Sequence, residues 1–465
     1  MLGESKLIMR KLLLVIIFGP ILFFSSPAFA QQTYDVQKLN SLFDVLESNN
    51  KMMGVVTVTK DGQTVYKRAL GYARISGAEK VRNNDETRFR IASLTKTFTA
   101  VMIFQLIEEK RLALETKLSK FYPQIANAEK ITIEQMLVHR SGIHNFSLDE
   151  DYQEWKTRPH TKKEILARFA GYKPEFEPNE KEVYSNTPYI LLGYIIEDLT
   201  KSTYGEQLNK RISKKIGLKN TFVGGDINPS NNEALAYTFA GSKWHEVLKR
   251  AQASNTAGAG GIVSTTADIN RFLAALFDKK LISEESLKTM TTPPVVTGND
   301  TAKGVARIAF NNKTKIGFTY DGSLDAFGSV YFYVPSDRLG VAITSNGQNY
   351  PSGEIFWLVM RILYGAPASI PSFTPVALPD EKLSKYEGTY ALEGTDLKLN
   401  IKKENSKLIA RINEEPAMTL EATGETKFQF EPDGVLLEFQ SNEAGEVSQL
   451  SLYIDRQKSF WTKAK

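Results

Sequence analysis

The sequence predicts an α+β fold: an antiparallel sheet flanked by helices with an all-helical subdomain, followed by a small C-terminal antiparallel β module. Three observations predict it. Two apolar hairpin patterns, at 54–66 and 329–343, stand at either end of a mostly helical stretch. Strands at both ends with helices between them imply one sheet shared by the N- and C-terminal segments. Residues 366–379 carry prolines at 367, 371, 375 and 379 and read as a stiff linker. Beyond it, short runs at 397–401, 408–412, 427–430, 435–439 and 447–454 alternate with turn residues, as in a barrel-like module.

Composition sets the outer limits. A chain of 465 residues allows two or three domains, and 42% hydrophobic with 24% charged residues is ordinary for a globular core. The formal charge of +5, with no long run of one sign, gives nucleic-acid binding no support. Lys6, Arg10 and Lys11 precede the apolar run 12–24, and Ala28-Phe29-Ala30 fits a small-x-small cleavage site. Residues 1–30 are therefore expected to be a secretory signal peptide cut after Ala30, its apolar run too short for a comfortable membrane span. The expected location is bacterial, periplasmic or secreted, with no stable membrane span after cleavage.

The absence of cysteine excludes disulfides, thiol catalysis and cysteine-ligated metals. His139, His144, His160 and His245 are the only histidines, which limits metal chemistry further. His245-Glu246 begins like the zinc-protease helix motif but has no second histidine at the required spacing. Neither a metal nor a cofactor is expected.

Each element follows in order. Residues 35–50 read as an amphipathic helix with Leu39, Leu42, Phe43 and Leu46 on one face. Gly54–Val58 and Thr64–Tyr66 flank Lys60-Asp61-Gly62, a hairpin signature. The stretch Arg90–Val101 has a polar start and runs into a segment, Phe98–Ile107, apolar enough for a helix buried on nearly all sides. Residues 131–137 predict a helix that Gly142 can end. His139, two residues past that helix, has no orienting neighbour in sequence and reads as structural. Residues 176–179 read as a turn, and Tyr189–Ile196 as an apolar helix. The glycine-rich run 257–262 lacks the lysine and the strand-loop-helix context of a phosphate loop; it reads as a tight turn before a helix starting near 264–268. Residues 335–338 turn the second hairpin, and a helix follows near 354–363.

Two short motifs carry chemistry. Ser93 and Lys96 lie three apart at the start of the apolar helix, so one turn puts both on the same face. A serine hydroxyl is a weak nucleophile until a base takes its proton, and a lysine desolvated by a buried helix can lose its charge and serve. Helix-start N–H groups also point toward an oxyanion formed at Ser93. The alternative is a capping serine followed by a solvated lysine. Tyr184 and Asn186 stand two apart just before a helix and can face one cleft. A lysine neighbour lowers a phenol's pKa, which makes Tyr184 a candidate proton carrier, and the Asn186 amide can bind a substrate carbonyl. The alternative here is a turn asparagine beside a core tyrosine.

Ser93-x-x-Lys96, Tyr184-x-Asn186 and the segment Tyr320-Asp321-Gly322-Ser323 entering a strand together resemble the serine β-lactamase and penicillin-binding protein superfamily. The nearest branch is that of class C β-lactamases, D-alanyl-D-alanine carboxypeptidases, D-aminopeptidases and related esterases. Residues 137–142 and 260–265 are similar to recurrent stretches of that branch. The resemblance covers about 40–350 and implies a β-lactamase/transpeptidase-like domain at 31–365, with the linker at 366–379. Residues 380–465 resemble the lipocalin-like β domains that some of these hydrolases carry, which cover a cleft or mediate homo-oligomers.

By this resemblance Ser93 would be the acylated nucleophile, Lys96 and Tyr184 would share base and acid duties, and Asn186 would orient the substrate. The N–H groups of Ser93 and Ser323 would form the oxyanion hole, with Tyr320, Gly322 and Ser323 lining the substrate site. The family usually opens its third motif with lysine or histidine. Here an aromatic, Tyr320, replaces the cation and Asp321 adds negative charge, while Gly322 is kept. That counts against carboxylate-bearing substrates and resembles the esterase-like members. The expected function is an exported serine hydrolase working through acyl-Ser93 on a short D-residue peptide, an amide or an ester. The rival readings are a β-lactamase or D-alanyl-D-alanine carboxypeptidase proper, a sensor that is acylated by penicillin or a peptidoglycan fragment without turnover, and a purely structural module.

Overall fold

The computed structural model describes residues 34–294, 301–311, 313–454 and 457–464, so the expected signal peptide lies outside the described residues. Helix α1 (Val36–Ser48) starts where the Asp35 side chain accepts the Lys38 N–H, and it buries Leu39, Leu42, Phe43 and Leu46, the face that the spacing predicts. Strands β1 (Met52–Lys60) and β2 (Gln63–Leu70) meet at Asp61 and Gly62, whose φ values of 51° and 77° give the left-handed pair that a two-residue hairpin turn requires. In α2 (Thr95–Glu108) every side chain from Thr95 to Leu106 is buried. Helix α3 (Ile133–Leu137) carries a Thr132/Gln135 capping box, and α4 (Thr187–Thr200) has Pro188 in its first turn, where the missing N–H costs nothing.

After α5 (Thr266–Phe277) come β3 (Ala306–Phe310), β4 (Lys315–Leu324), β5 (Phe327–Val334), β6 (Leu339–Gln348) and α6 (Ser352–Leu363). The main sheet runs β3-β4-β5-β6-β1-β2, and two short strands, Tyr237–Ala240 and Lys243–Glu246, attach beyond β6. The antiparallel β1–β6 ladder, with Val56 opposite Ile343, joins the two ends of the domain as the paired hairpin patterns predict. One face of the sheet packs on α1 and α6 through residues such as Phe43, Val341, Phe356 and Val359. The opposite face carries α5, fixed by the Asn270 side chain donating to the Thr57 carbonyl at 2.9 Å. The largest core lies on that side and gathers α2 and α4.

The C-terminal part closes into an eight-stranded antiparallel barrel from Gly388–Leu392 to Gln457–Lys463. It has its own core, including Tyr390, Leu399, Phe428, Leu437 and Trp461. The five runs seen in the sequence are among its strands. Gly388–Leu392, Met418–Ala422 and Gln457–Lys463 complete it, and the first and last of these alternate too weakly to stand out.

Two local expectations change. Gly142 does not end the helix: α3 stops at Leu137, His139 takes the left-handed φ of 57°, and Gly142 (φ 72°) lies against the Phe176 carbonyl, where a Cβ would collide. The glycine-rich run is not a tight turn but a short helix, Ala257–Gly260, leading into the strand Ile262–Ser264. Its Gly258 packs on α4 so closely that a Cβ would stand 2.9 Å from the Gly193 Cα. Among the described residues no helix is long and apolar enough to cross a membrane.

Candidate active site

Ser93 is delivered by a tight connection between sheet and helix. Phe89–Arg90 pairs with the strand Ile262–Ser264, the Ile91 N–H donates to the Ile262 carbonyl, and Ala92 then takes a left-handed φ of 46°. A 3-10 turn, Ala92–Leu94, follows and sets Ser93 on the turn before α2. Left-handed backbone at a non-glycine residue costs about 1–3 kcal/mol and persists where surrounding structure fixes it. Here the Ser329 hydroxyl fixes it by donating to the Ile91 carbonyl at 2.7 Å.

Lys96 is fully buried, and its Nζ lies 3.1 Å from Ser93 Oγ, 2.8 Å from Asn186 Oδ1 and 2.9 Å from the Ala259 carbonyl. Burial holds its pKa well below the usual lysine range, and the charge of Asp321 opposes this only in part. A neutral amine has two N–H groups, which Asn186 Oδ1 and the Ala259 carbonyl accept. Its lone pair is then left for the Ser93 O–H.

Tyr184 Oη stands 2.7 Å from Ser93 Oγ and 3.2 Å from Asn186 Oδ1. The expected lowering of its pKa by Lys96 is not found. Desolvation pushes the phenol well above its ordinary value, Asp321 adds to this, and the Ser93 hydrogen bond opposes it. A neutral lysine offers no charge to lower it, so Tyr184 keeps its proton. Its ring is still partly exposed, at 43%, because it forms one wall of the cleft.

Asn186 is held from behind. Its backbone N–H and its Nδ2 donate to Asn145 Oδ1 at 3.1 and 3.3 Å, and Nδ2 also donates to Ser147 Oγ, which turns Oδ1 toward Lys96. Asn145 is buried, and the sequence motifs do not point to it.

His139 is better oriented than its sequence neighbourhood suggests. The Ser185 N–H donates to Nδ1 at 3.3 Å, Nε2 lies 3.2 Å from Tyr320 Oη, and the ring centroid is 4.6 Å from that of Tyr184. Burial pushes its pKa down to about 3, and the Lys96 ammonium, whenever it is charged, lowers it further, so the imidazole is neutral. It belongs to the lining of the site.

The third motif lies on β4. Strand β3 pairs only with Lys315–Thr319, so from Tyr320 to Leu324 that edge of β4 has no β3 partner and borders the cleft. A Cβ at Gly322 would stand 2.8 Å from both the Ser93 nitrogen and the Ile91 carbonyl oxygen, so only glycine lets the strand approach this closely. Ser93, Tyr184, Asn186, Tyr320, Gly322 and Ser323 all line one cavity of about 770 Å³, with Lys96 just behind it. Phe146 and Tyr152, ring centroids 5.4 Å apart, form an aromatic wall. Beside it, Lys156 places its Nζ over the Tyr152 ring, 5.7 Å from the centroid, and pairs with Asp325 at 2.9 Å. Among the described residues the lining comes from residues 92–325, with none from the barrel. Among the described residues no group of three or more His, Asp and Glu side chains is arranged to hold a metal.

The profile of the family described as Beta-lactamase matches residues 39–361, and that of a Domain of unknown function (DUF3471) matches 374–463. The chain is 25% identical over 429 residues to Penicillin-binding protein 4* of Bacillus subtilis, covering 87% of this chain and 94% of that protein. Among solved structures it is similar to a D-stereospecific amidohydrolase from Streptomyces sp., with TM-score 0.57, 25% identity, 66% of this chain and 94% of the other. The octameric penicillin-binding protein homologue from Pyrococcus abyssi shares the fold over 92% of this chain and all of its own, with TM-score 0.64 and 21% identity.

Proposed function

The chain belongs to the Beta-lactamase family, and from that premise we propose that it is a serine hydrolase whose acyl-enzyme forms on Ser93. The observation that carries this reading is the position of Ser93 Oγ, 3.1 Å from a buried amine and 2.7 Å from a protonated phenol. Lys96 takes the Ser93 proton as Oγ attacks the substrate carbonyl, and the N–H groups of Ser93 and Ser323 receive the charge that develops on the carbonyl oxygen. Tyr184 gives its proton to the leaving amine or alkoxide, and the Lys96 ammonium restores it. Water then attacks the acyl-Ser93 ester, its proton passes to the same pair, and Ser93 regains its hydrogen as the acid leaves. Asn186, fixed by Asn145, orients both the amine and the substrate amide.

The substrate is an amide or ester with no carboxylate beside the scissile bond, because Tyr320 and Asp321 occupy the place where a cation would hold one. The aromatic wall of Phe146 and Tyr152 suits an apolar acyl side chain. The likeness to a D-stereospecific amidohydrolase supports a D-residue amide or short peptide within that class. The protein is exported through residues 1–30, and the hydrolase spans 31–365, followed by the linker 366–379 and the β domain 380–465. The test is steady-state turnover of p-nitrophenyl acetate and of D-phenylalanine p-nitroanilide. Ser93→Ala should cut both by roughly a thousand-fold or more; an activity retained within ten-fold would remove Ser93 as nucleophile.

A further inference from the structure

The Ser185 N–H donates to His139 Nδ1, so that nitrogen carries the lone pair. A neutral imidazole then carries its proton on Nε2, which lies 3.2 Å from Tyr320 Oη and donates to it. With its lone pair so engaged, Tyr320 keeps its own O–H proton to give. Among the described residues its hydroxyl has no other hydrogen-bond partner, and Tyr320 lines the cleft. The groups around the imidazole are the Tyr184 and Tyr189 rings, the Lys96 amine, the Ser185 N–H and the Tyr320 hydroxyl, with no carboxylate bonded to it among the described residues.

We propose that His139 is a positioning residue that fixes Tyr320 as an uncharged hydrogen-bond donor aimed into the cleft, where it receives an uncharged carbonyl oxygen of the substrate. The donor sits on the edge of β4 that, among the described residues, no strand pairs, two residues before the glycine that abuts Ser93. A substrate strand lying along that edge offers amide or ester carbonyls at this height. A neutral donor binds such an oxygen without the desolvation cost of a lysine, while Asp321 beside it repels a carboxylate. The imidazole does not ionise in the working range, since burial keeps its pKa near 3, so this donor keeps its direction at every pH where Lys96 can act as base. The inference rests on the serine hydrolase reading and assigns part of its substrate selection.

The test is a double-mutant cycle between His139 and Tyr320, read as kcat/KM on a neutral amide substrate, with thermal melts and labelling of Ser93 by a fluorophosphonate in every variant. Tyr320→Phe should lower kcat/KM about ten-fold, mostly through KM, as expected for loss of one uncharged donor. His139→Leu should give a similar loss in the parent and little further loss in the Tyr320→Phe background, and His139→Gln, which keeps a donor near Nε2, should recover part of it. Losses that multiply, or a Tyr320→Phe variant within two-fold of the parent, would overturn the proposal. A role for His139 in packing alone would lower the melting temperature and multiply with Tyr320→Phe. Loss of Ser93 labelling in the parent would instead bring down the hydrolase reading on which the inference stands.

Discussion

At the scale of single residues, the chemistry depends on which groups hold protons at rest. Lys96 is driven toward the neutral amine by burial and Tyr184 is held as the phenol. The rate should therefore rise with pH as Lys96 loses its proton, at a pH below the ordinary lysine range, and fall only where Tyr184 ionises. Asp321 raises the Lys96 pKa through its charge, so Asp321→Asn should move the acid limb of the kcat/KM profile to lower pH. A limb that stays in place, or moves up, would mean that Lys96 is not the group being titrated. The sequence made Ser93, Lys96, Tyr184 and Asn186 legible because short motifs record residues that adjoin along the chain. Spacing alone would not have sufficed: Ser48 and Lys51 repeat the Ser-x-x-Lys pattern, but there Ser48 ends α1 rather than preceding a buried helix. Asn145 and the His139–Tyr320 contact were not legible, because their partners lie 41 and 181 residues away in sequence. The direction of the Tyr184 shift is not legible either, because a lysine in sequence implies a charge that burial removes in the fold.

At the scale of elements, the site is a junction between the α2 entrance and the free edge of β4. Gly322 is a close approach in that junction, with its missing side chain opposite the Ser93 nitrogen, the Ile91 carbonyl and the Ser329 hydroxyl. Gly322→Ala should push β4 from Ser93 and lower kcat/KM about a hundred-fold, as small misplacements at a reacting centre do, while the protein still melts cooperatively. Activity within two-fold of the parent would show that the two elements do not need this contact. Hairpins and apolar helices were readable because period and turn chemistry are local properties. The ends near His139 and Gly142 were not: there the backbone follows the Phe176 carbonyl, a neighbour brought in by the fold.

At the scale of the whole molecule, the barrel is bonded to the rest of the chain through residues that, among those described, do not line the cleft. Ser242 bonds Glu431 and the Pro432 carbonyl, Gly434 lies against Asn349, and Gln429 donates to the Phe373 carbonyl of the linker. Lys51 sits in this seam, 1% exposed, with Nζ over the Phe373 ring at 4.7 Å and, among the described residues, no hydrogen-bond acceptor. Burial lowers its pKa, with Glu431 opposing. The folded state therefore binds this proton less tightly than the unfolded chain, a penalty that is full below the folded pKa and fades as pH climbs to the ordinary lysine value of about 10.4. Lys51→Met should raise the melting temperature by about 2–4 °C near neutral pH, with the gain shrinking toward pH 10; a lower melting temperature would mean that the ammonium stabilises the seam. The two-part architecture was legible from the proline-rich linker and the change to short alternating runs. Closure of the barrel was not, since it depends on the weakly patterned first and last strands pairing with each other.

The most direct test of the central claim is intact-mass and peptide-mapping mass spectrometry of the protein and of Ser93→Ala after brief exposure to a fluorophosphonate and to an ester substrate. The account predicts one phosphonyl adduct mapping to Ser93, an acyl adduct that appears early and decays with product release, and neither in Ser93→Ala. An adduct on another residue, or none on the active parent protein, would contradict it.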